Sequence, residues 1–331
     1  MSRRMLSAGV AGAVTLGMLA LAARNVRFAE LWPVLSGARW PWIAVMIGIG
    51  LLDLLIRARR WQVLLSRSGA RPSVRQLFQL EAIGLAINNV LLLRMGELAR
   101  AFLAARELSI STATALASVA VERALDVAAL LSLFCVAAAG APDLVPMPIR
   151  RAALLALGGA VGALVALAAA EAPLSTGGAW EKRLRPWPKI HALVTQLAAG
   201  AAVLRSARAA GQAAALSLAL WGVDAVMYWA GARALGLGSF MGYGRAVLSL
   251  SWAGASAALP AAPGAFGAFE AAVEAILEKF GAAPSAAFAY ALFMHMVMYI
   301  IVTALGLIFL YRVGLTLGEL RGALDRQRTG P

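Results

Sequence analysis

Six apolar runs limit what this chain can fold into. They cover residues 5–23, 40–56, 111–139, 152–170, 212–235 and 285–311. A helix needs about 20 mostly apolar residues to cross the hydrocarbon core of a bilayer. Only helices and closed barrels satisfy their backbone hydrogen bonds there, and runs of this length are helical. The charged fraction, 14%, is well below the roughly 25% of a soluble domain. The expected class is an all-α polytopic membrane protein, with residues 1–331 as one membrane domain. The first run follows Ser2-Arg3-Arg4, a basic start like that of a signal peptide. The number of spans that follow favours an uncleaved first helix.

The net charge of +14 does not point to nucleic acid. The basic residues sit in short connections between apolar runs, which is the positive-inside pattern of cytoplasmic loops. Arg59, Arg60 and Trp61 at the end of the second run read as a cytoplasmic anchor. Arg67, Arg71 and Arg75 follow them, and the stretch 171–208 forms a second basic loop. These charges place the protein in the bacterial inner membrane with both termini in the cytoplasm. No metal-ligand spacing or cofactor motif is present, so no metal, cofactor or nucleic acid is expected.

Two further apolar segments are interrupted. Residues 75–107 carry Asn88 and Asn89, then break around Arg94, Gly96, Glu97 and Arg100. Leu259 to Glu270 reads LPAAPGAFGAFE, with Pro263, Gly264 and Gly267 just before the acid. Proline lacks the donor N–H and clashes with the preceding turn, so 259–270 does not continue as an ordinary helix, and the apolar part of 75–107, short for a span, is either a plain short helix or a hairpin that turns back. Irregular backbone at membrane depth is tolerated only where protein or a water-filled cavity surrounds it.

Charges also fall inside the long runs. Glu122, Arg123 and Asp126 lie near the middle of 111–139. Each charge at a helix centre costs about 2.5–3.5 kcal/mol on insertion scales, which calls for pairing in the protein interior. Arg123 and Asp126 are three apart and can pair. Asp53 fits two roles equally, a functional carboxylate or a partner for Arg57. His295 and Tyr299 lie in the last run. Glu270 is expected to face Arg94, Arg100 or Arg123.

The order of elements repeats. Span, span, interrupted segment and span occupy about 5–139 and again about 152–311. Broken segments at matching places in two halves point to a transporter binding site. If both are re-entrant hairpins, each half crosses three times and the second half is inverted. The expected architecture is six full spans plus two re-entrant helical hairpins in an inverted repeat, eight hydrophobic segments in all. The rival arrangement, eight plain spans, puts the basic loop 171–208 outside, against the positive-inside trend.

At these residues the chain resembles a known family. It is the flippase-like membrane domain of lysylphosphatidylglycerol synthases and of stand-alone bacterial and archaeal proteins. Arg59-Arg60-Trp61 resembles the family's basic-Trp helix end. Arg94, Gly96, Glu97 and Arg100 fit its R-x-G-E-x-x-R pattern, with Asn88 and Asn89 upstream. Glu122, Arg123 and Asp126 fit E-R-x-x-D. Pro260, Pro263, Gly264, Gly267 and Glu270 fit P-x-x-P-G-G-x-G-x-x-E. Three positions depart from the patterns: Leu92 replaces a proline, Ala265 the second glycine of P-G-G, and His295 an arginine.

The resemblance implies a lipid flippase or lipid transporter, moving a phospholipid, hopanoid or glycolipid across or out of the inner membrane. Its path would use Asn88, Asn89, Arg94, Glu97, Arg100, Glu122, Arg123, Asp126, Pro263, Gly264, Gly267, Glu270 and His295. Membrane lipids are the expected partners, with lipid-biosynthetic enzymes beside them. Synthase members add a soluble aminoacyl-transfer domain, which these 331 residues do not contain, and no catalytic constellation stands out. An enzyme is therefore not expected. The alternative is an integral-membrane accessory protein or enzyme of lipid biosynthesis.

Overall fold

A computed structural model describes residues 3–91, 95–170, 179–184, 186–256 and 265–313. Side-chain surroundings are described from residue 13 onward within these ranges, apart from residues 179 and 180. Thirteen α-helices and no strands occur among the described residues.

Helix α1 is Arg3–Ala23 and α2 is Phe28–Ser36, which carries Pro33 inside it. Helix α2 lies in the stretch 24–39 between the first two apolar runs, where hydropathy marks no span. Helix α3, Trp40–Leu64, starts on a proline in its first turn and runs eight residues past the expected end at Ile56. Then come α4 Val74–Val90, α5 Met95–Leu108, α6 Thr112–Ala139 and α7 Met147–Ala169. A capping box of Ser73 and Gln76 opens α4, and the Ser111 hydroxyl caps α6. The basic stretch forms α8, Ala179–Leu184, and α9, Pro188–Ala201. The second half continues with α10 Ala207–Ala234, α11 Tyr243–Ser256, α12 Ala268–Lys279 and α13 Pro284–Arg312.

Among the described residues four segments are long and apolar enough to cross a membrane: Trp40–Arg67, Met147–Ala169, Ala207–Ala234 and Pro284–Arg312. Helix α6 has the length but carries Glu122, Arg123 and Asp126. The interrupted segments are helix pairs, α4 with α5 and α11 with α12, each pair packed on itself. Helix α3 packs along α10, α4 along α13, and α11 against α6.

Lipid tails are as apolar as leucine, so helices in a bilayer associate through close packing of small residues rather than by escaping water. The buried interior is accordingly rich in alanine. Gly306 of α13 lies directly against Ala82 and Ala86 of α4, leaving no room for a side chain. In the first hairpin Gly84 and Gly96 meet backbone to backbone, and a Cβ on Gly96 would sit 2.7 Å from the Asn88 Oδ1.

The apolar core has two centres. One gathers α10 to α13 with the far end of α6, around Phe134, Tyr228, Tyr290 and Met294. The other gathers α4 and α5 with the near end of α6, around Trp61, Leu77, Ile87 and Leu103. Helix α3 serves both, through Met46 and Trp61. Asp53, Arg57 and Arg60 lie between those two residues on α3 and are all buried.

Candidate functional site

Three polar groupings lie among these helices. The first is an ion network on α3, α4, α5 and α6. Arg60 sends Nη1 to Asp126 Oδ1 at 2.5 Å and Nη2 to Glu122 Oε1 at 3.0 Å. Its Nη1 also donates to the Ser217 hydroxyl of α10 at 3.0 Å. Arg100 pairs with Glu81 and reaches Glu122 Oε1 at 3.2 Å. Arg123 contacts Glu122 at 2.9 Å and Asp126 at 3.2 Å, with Glu97 farther off at 3.8 Å. The Trp221 indole donates to Asp126 at 3.1 Å. Within this network Glu122 meets Arg60, Arg100 and Arg123, and Asp126 meets Arg60 and Arg123.

Such a network is held together by its completeness. Removing ions from water costs several kcal/mol each, and only mutual pairing in good geometry offsets it. Trp61 completes the packing. Arg100 stacks over its ring at 4.6 Å, and its indole N–H donates to the Ser118 hydroxyl at 2.9 Å.

This corrects the anchor reading of Arg60 and Trp61. Both are fully buried, whereas Arg59 is exposed and pairs with Gln62 one turn on. The reason is helical periodicity. Helix α3 continues through this stretch, and residues 57, 60, 61 and 64 share the buried stripe while 59 points away.

The second grouping is a dyad at the second break. Glu270 Oε1 lies 2.6 Å from His295 Nδ1, and Oε2 accepts the Gly267 N–H at 2.7 Å. Gly267 has φ +82, the left-handed region that suits glycine. Glu270 therefore caps α12 from its first turn, where a carboxylate also complements the positive end of the helix dipole. Phe266 stacks on His295 at 4.4 Å between ring centres. The expected pairing of Glu270 with Arg100 or Arg123 is corrected here. Those arginines are held on α5 and α6 by Glu81, Glu122 and Asp126, and the acid at the second break pairs with the last long helix instead.

The third is a cavity of about 240 Å³ between α3, α4, α10, α12 and α13. Gly50, Leu85, Met227, Phe269, Met298, Ile301 and Val302 make its walls apolar. Asp53, Arg57, Asn89, Asp224, His295 and Tyr299 supply the polar groups. Arg57 Nε donates to Asp53 at 2.8 Å, and its Nη2 lies 3.6 Å from Asp224. Asn89 donates to the Thr303 hydroxyl at 2.9 Å, and the Tyr299 hydroxyl donates to the Asn89 carbonyl at 3.3 Å. Asn89, Met298, Tyr299 and Ile301 are half-buried, so the cavity opens outward. An apolar chamber with a few convergent polar groups is the form that small-ligand sites take.

The residues singled out in the sequence divide among these groupings. Glu97, Arg100, Glu122, Arg123 and Asp126 belong to the network. Gly267, Glu270 and His295 form the dyad, and Asn89 and His295 line the cavity. Asn88 accepts the Gly96 N–H at 2.8 Å, tying the start of α5 to the end of α4. Arg94, Pro263 and Gly264 lie outside the described residues. The sequence reading assigns no site role to Asp224 or Glu81, sets Tyr299 beside His295 only as a slight acid–base candidate, and leaves Asp53 between two roles. Each is an ionisable group within an apolar segment, which is itself the signal of a functional position.

No curated protein and no solved structure matches the chain. One family model does, that of the lysylphosphatidylglycerol synthase TM region, over residues 8–306. This range takes in every buried charge described above, and the chain belongs to the lysylphosphatidylglycerol synthase transmembrane-region family.

Proposed function

We propose that this protein moves a polar-headgroup lipid across or out of the inner membrane. The cavity carries this reading. A lipid headgroup needs hydrogen-bonding partners at membrane depth while its tails stay in hydrocarbon. A chamber with apolar walls, an open side and Asp53, Arg57, Asn89, Asp224, His295 and Tyr299 inside it meets that need. Membership in the family supports work on membrane lipids in general.

The paired breaks support the same reading. Helices of 17, 14, 14 and 12 residues are about 25, 21, 21 and 18 Å long at 1.5 Å per residue. Each is shorter than the roughly 30 Å hydrocarbon core. Helix pairs that enter and turn back fit these lengths. On that arrangement α1, α3, α6, α7, α10 and α13 cross, and the halves form an inverted repeat with both termini cytoplasmic. The packing of α4 on α13 and of α11 on α6 is the exchange such a repeat implies. Each half's hairpin lies against the other half's last long helix.

The test is reconstitution in vesicles containing headgroup-labelled phospholipid, with leaflet exchange followed by quenching of the outer label. Faster exchange than in empty vesicles is expected, reduced by Asp224→Asn or Asn89→Ala. No exchange for phospholipid, glycolipid or hopanoid probes would refute the reading. The second reading is an accessory protein or enzyme of lipid biosynthesis, which His295 beside Tyr299 and Glu270 favours. Lipid extracts of a deletion strain separate the two. A missing lipid species supports the enzyme, and unchanged species on the wrong leaflet support transport.

A further inference from the structure

The cavity differs from the ion network in one respect that bears on how lipid movement is driven. In the network the buried acids Glu122 and Asp126 each meet two or more arginines. In the cavity one guanidinium serves two carboxylates. Arg57 holds Asp53 through Nε at 2.8 Å and Asp224 through Nη2 at 3.6 Å. The two carboxylates are thus brought to the same guanidinium from α3 and α10. Asp53 is 92% buried by its 8% exposure. Its second oxygen, Oδ1, is buried and has no donor among the described residues. Two carboxylates therefore share one guanidinium at the wall of a cavity, and a buried acceptor such as Asp53 Oδ1 is costly unless a donor is supplied.

The neighbours do not supply it. Asp126 of α6 is engaged by Arg60, Arg123 and Trp221. Tyr228 lies one turn along α10 from Asp224. On α13, His295 is bound to Glu270 of α12, and the Tyr299 hydroxyl donates to the Asn89 carbonyl. From α4 the cavity receives Leu85 and Asn89, and the Asn89 amide donates to Thr303.

We propose that Asp53 and Asp224 form a proton-binding site that couples proton movement to lipid movement, an inference that rests on the transport reading above. Uptake of one proton turns two carboxylates into a carboxylic acid hydrogen-bonded to a carboxylate, and no other bond changes. The charge of the Asp53–Arg57–Asp224 group then goes from −1 to zero. In a low-dielectric cavity a unit charge strongly affects which headgroup is held. The protonated site releases a cationic group and tolerates an anionic one, and the deprotonated site does the reverse. Alternation between the two states, filled with protons from one side and emptied to the other, gives the transport cycle a direction.

The experiment uses the full chain in vesicles with headgroup-labelled phospholipid and an imposed pH gradient. A several-fold change in initial exchange rate on reversing the gradient is expected for wild type, and none for Asp53→Asn or Asp224→Asn. Wild-type exchange that ignores the gradient, or a response retained in both variants, would overturn the proposal. A response to a sodium gradient in place of the pH gradient would overturn the proton assignment. If no probe lipid moves, the transport reading fails and the coupling fails with it. The proton site is then judged alone by infrared titration in water and deuterium oxide. A carboxylic-acid carbonyl band lost in both variants, each still folded by size exclusion, supports it. A band unchanged in both refutes it.

Discussion

The side chain of His295, in the middle of α13, is joined to Glu270 at the first turn of α12 by a 2.6 Å contact between Nδ1 and Oε1. The same carboxylate holds the Gly267 N–H with its other oxygen. One acid thus fixes the geometry of the second break and ties it to the last long helix. Glu270→Ala removes both bonds at once and leaves a buried donor without a partner, which costs about 1–3 kcal/mol. Glu270→Gln keeps an acceptor for Gly267 and should cost less. In thermal unfolding in detergent, the double variant Glu270→Gln/His295→Gln should lose less stability than the sum of the singles. Interaction energies of about 0.5–3 kcal/mol are usual for touching pairs. Additive losses would show that the dyad is not coupled.

Ala265 gives a prediction of the opposite sign. Its φ is +60, in the left-handed region, where an L side chain crowds the following carbonyl at a cost of about 1–2 kcal/mol. Glycine carries no such penalty but has a freer unfolded chain, so part of the gain is lost. Ala265→Gly is therefore expected to stabilise the protein by about 0.5–1 kcal/mol, read as a higher unfolding midpoint. A lower midpoint would mean that the methyl group packs usefully at the entry to α12.

How much of this was legible in the sequence varies with the kind of interaction. The long helices follow from hydropathy, and α6, α7, α10 and α13 begin and end within a few residues of the expected runs. The turn at Gly267 follows from backbone chemistry. The preference for glycine where Ala265 stands comes from the resemblance to the family's pattern, and the φ of +60 there agrees with it. Helix α2 was not legible, because nine residues with an internal proline lack the periodic signal of a longer helix. The end of α3 was misjudged because arginines at 57, 59 and 60 look like a loop. The burial of Arg57 and Arg60 depends on acids from α6 and α10 that only the folded chain brings near. Local pairs such as Arg57 with Asp53 and Arg123 with Asp126 were readable from spacing. Partners far apart in sequence, such as Glu270 with His295, were not.

Arg60 tests the difference between a core ion and a surface anchor. Its guanidinium answers two buried acids, Glu122 and Asp126. Breaking a buried pair from one side costs about 3–5 kcal/mol, because the remaining charge is left without compensation. Arg60→Ala should therefore abolish or sharply reduce the yield of monodisperse protein on size exclusion. Arg59→Ala, one residue away on the exposed side, should stay within about 0.5 kcal/mol of wild type. Adding Asp126→Asn to Arg60→Ala should recover part of the loss. Equal behaviour of Arg59 and Arg60 variants would return both residues to the role of surface anchor.

Glycine substitutions separate helix contacts inside the protein from faces that meet lipid. At Gly96 a methyl group would collide with the Gly84 carbonyl and the Asn88 side chain. At Gly84 it would come within 2.9 Å of the Arg100 Cβ. Forcing extra atoms into such contacts costs about 1–3 kcal/mol, and here it would also push Arg100 away from Glu81 and Glu122. Gly158 and Gly159 of α7 have nothing within 4 Å of an added Cβ. There alanine should be neutral or stabilising, since glycine is about 0.8–1.0 kcal/mol worse than alanine within a helix. Unfolding midpoints of the four single variants in one detergent make the comparison. Destabilisation of Gly158→Ala and Gly159→Ala to the level of Gly96→Ala would show that this face of α7 is covered.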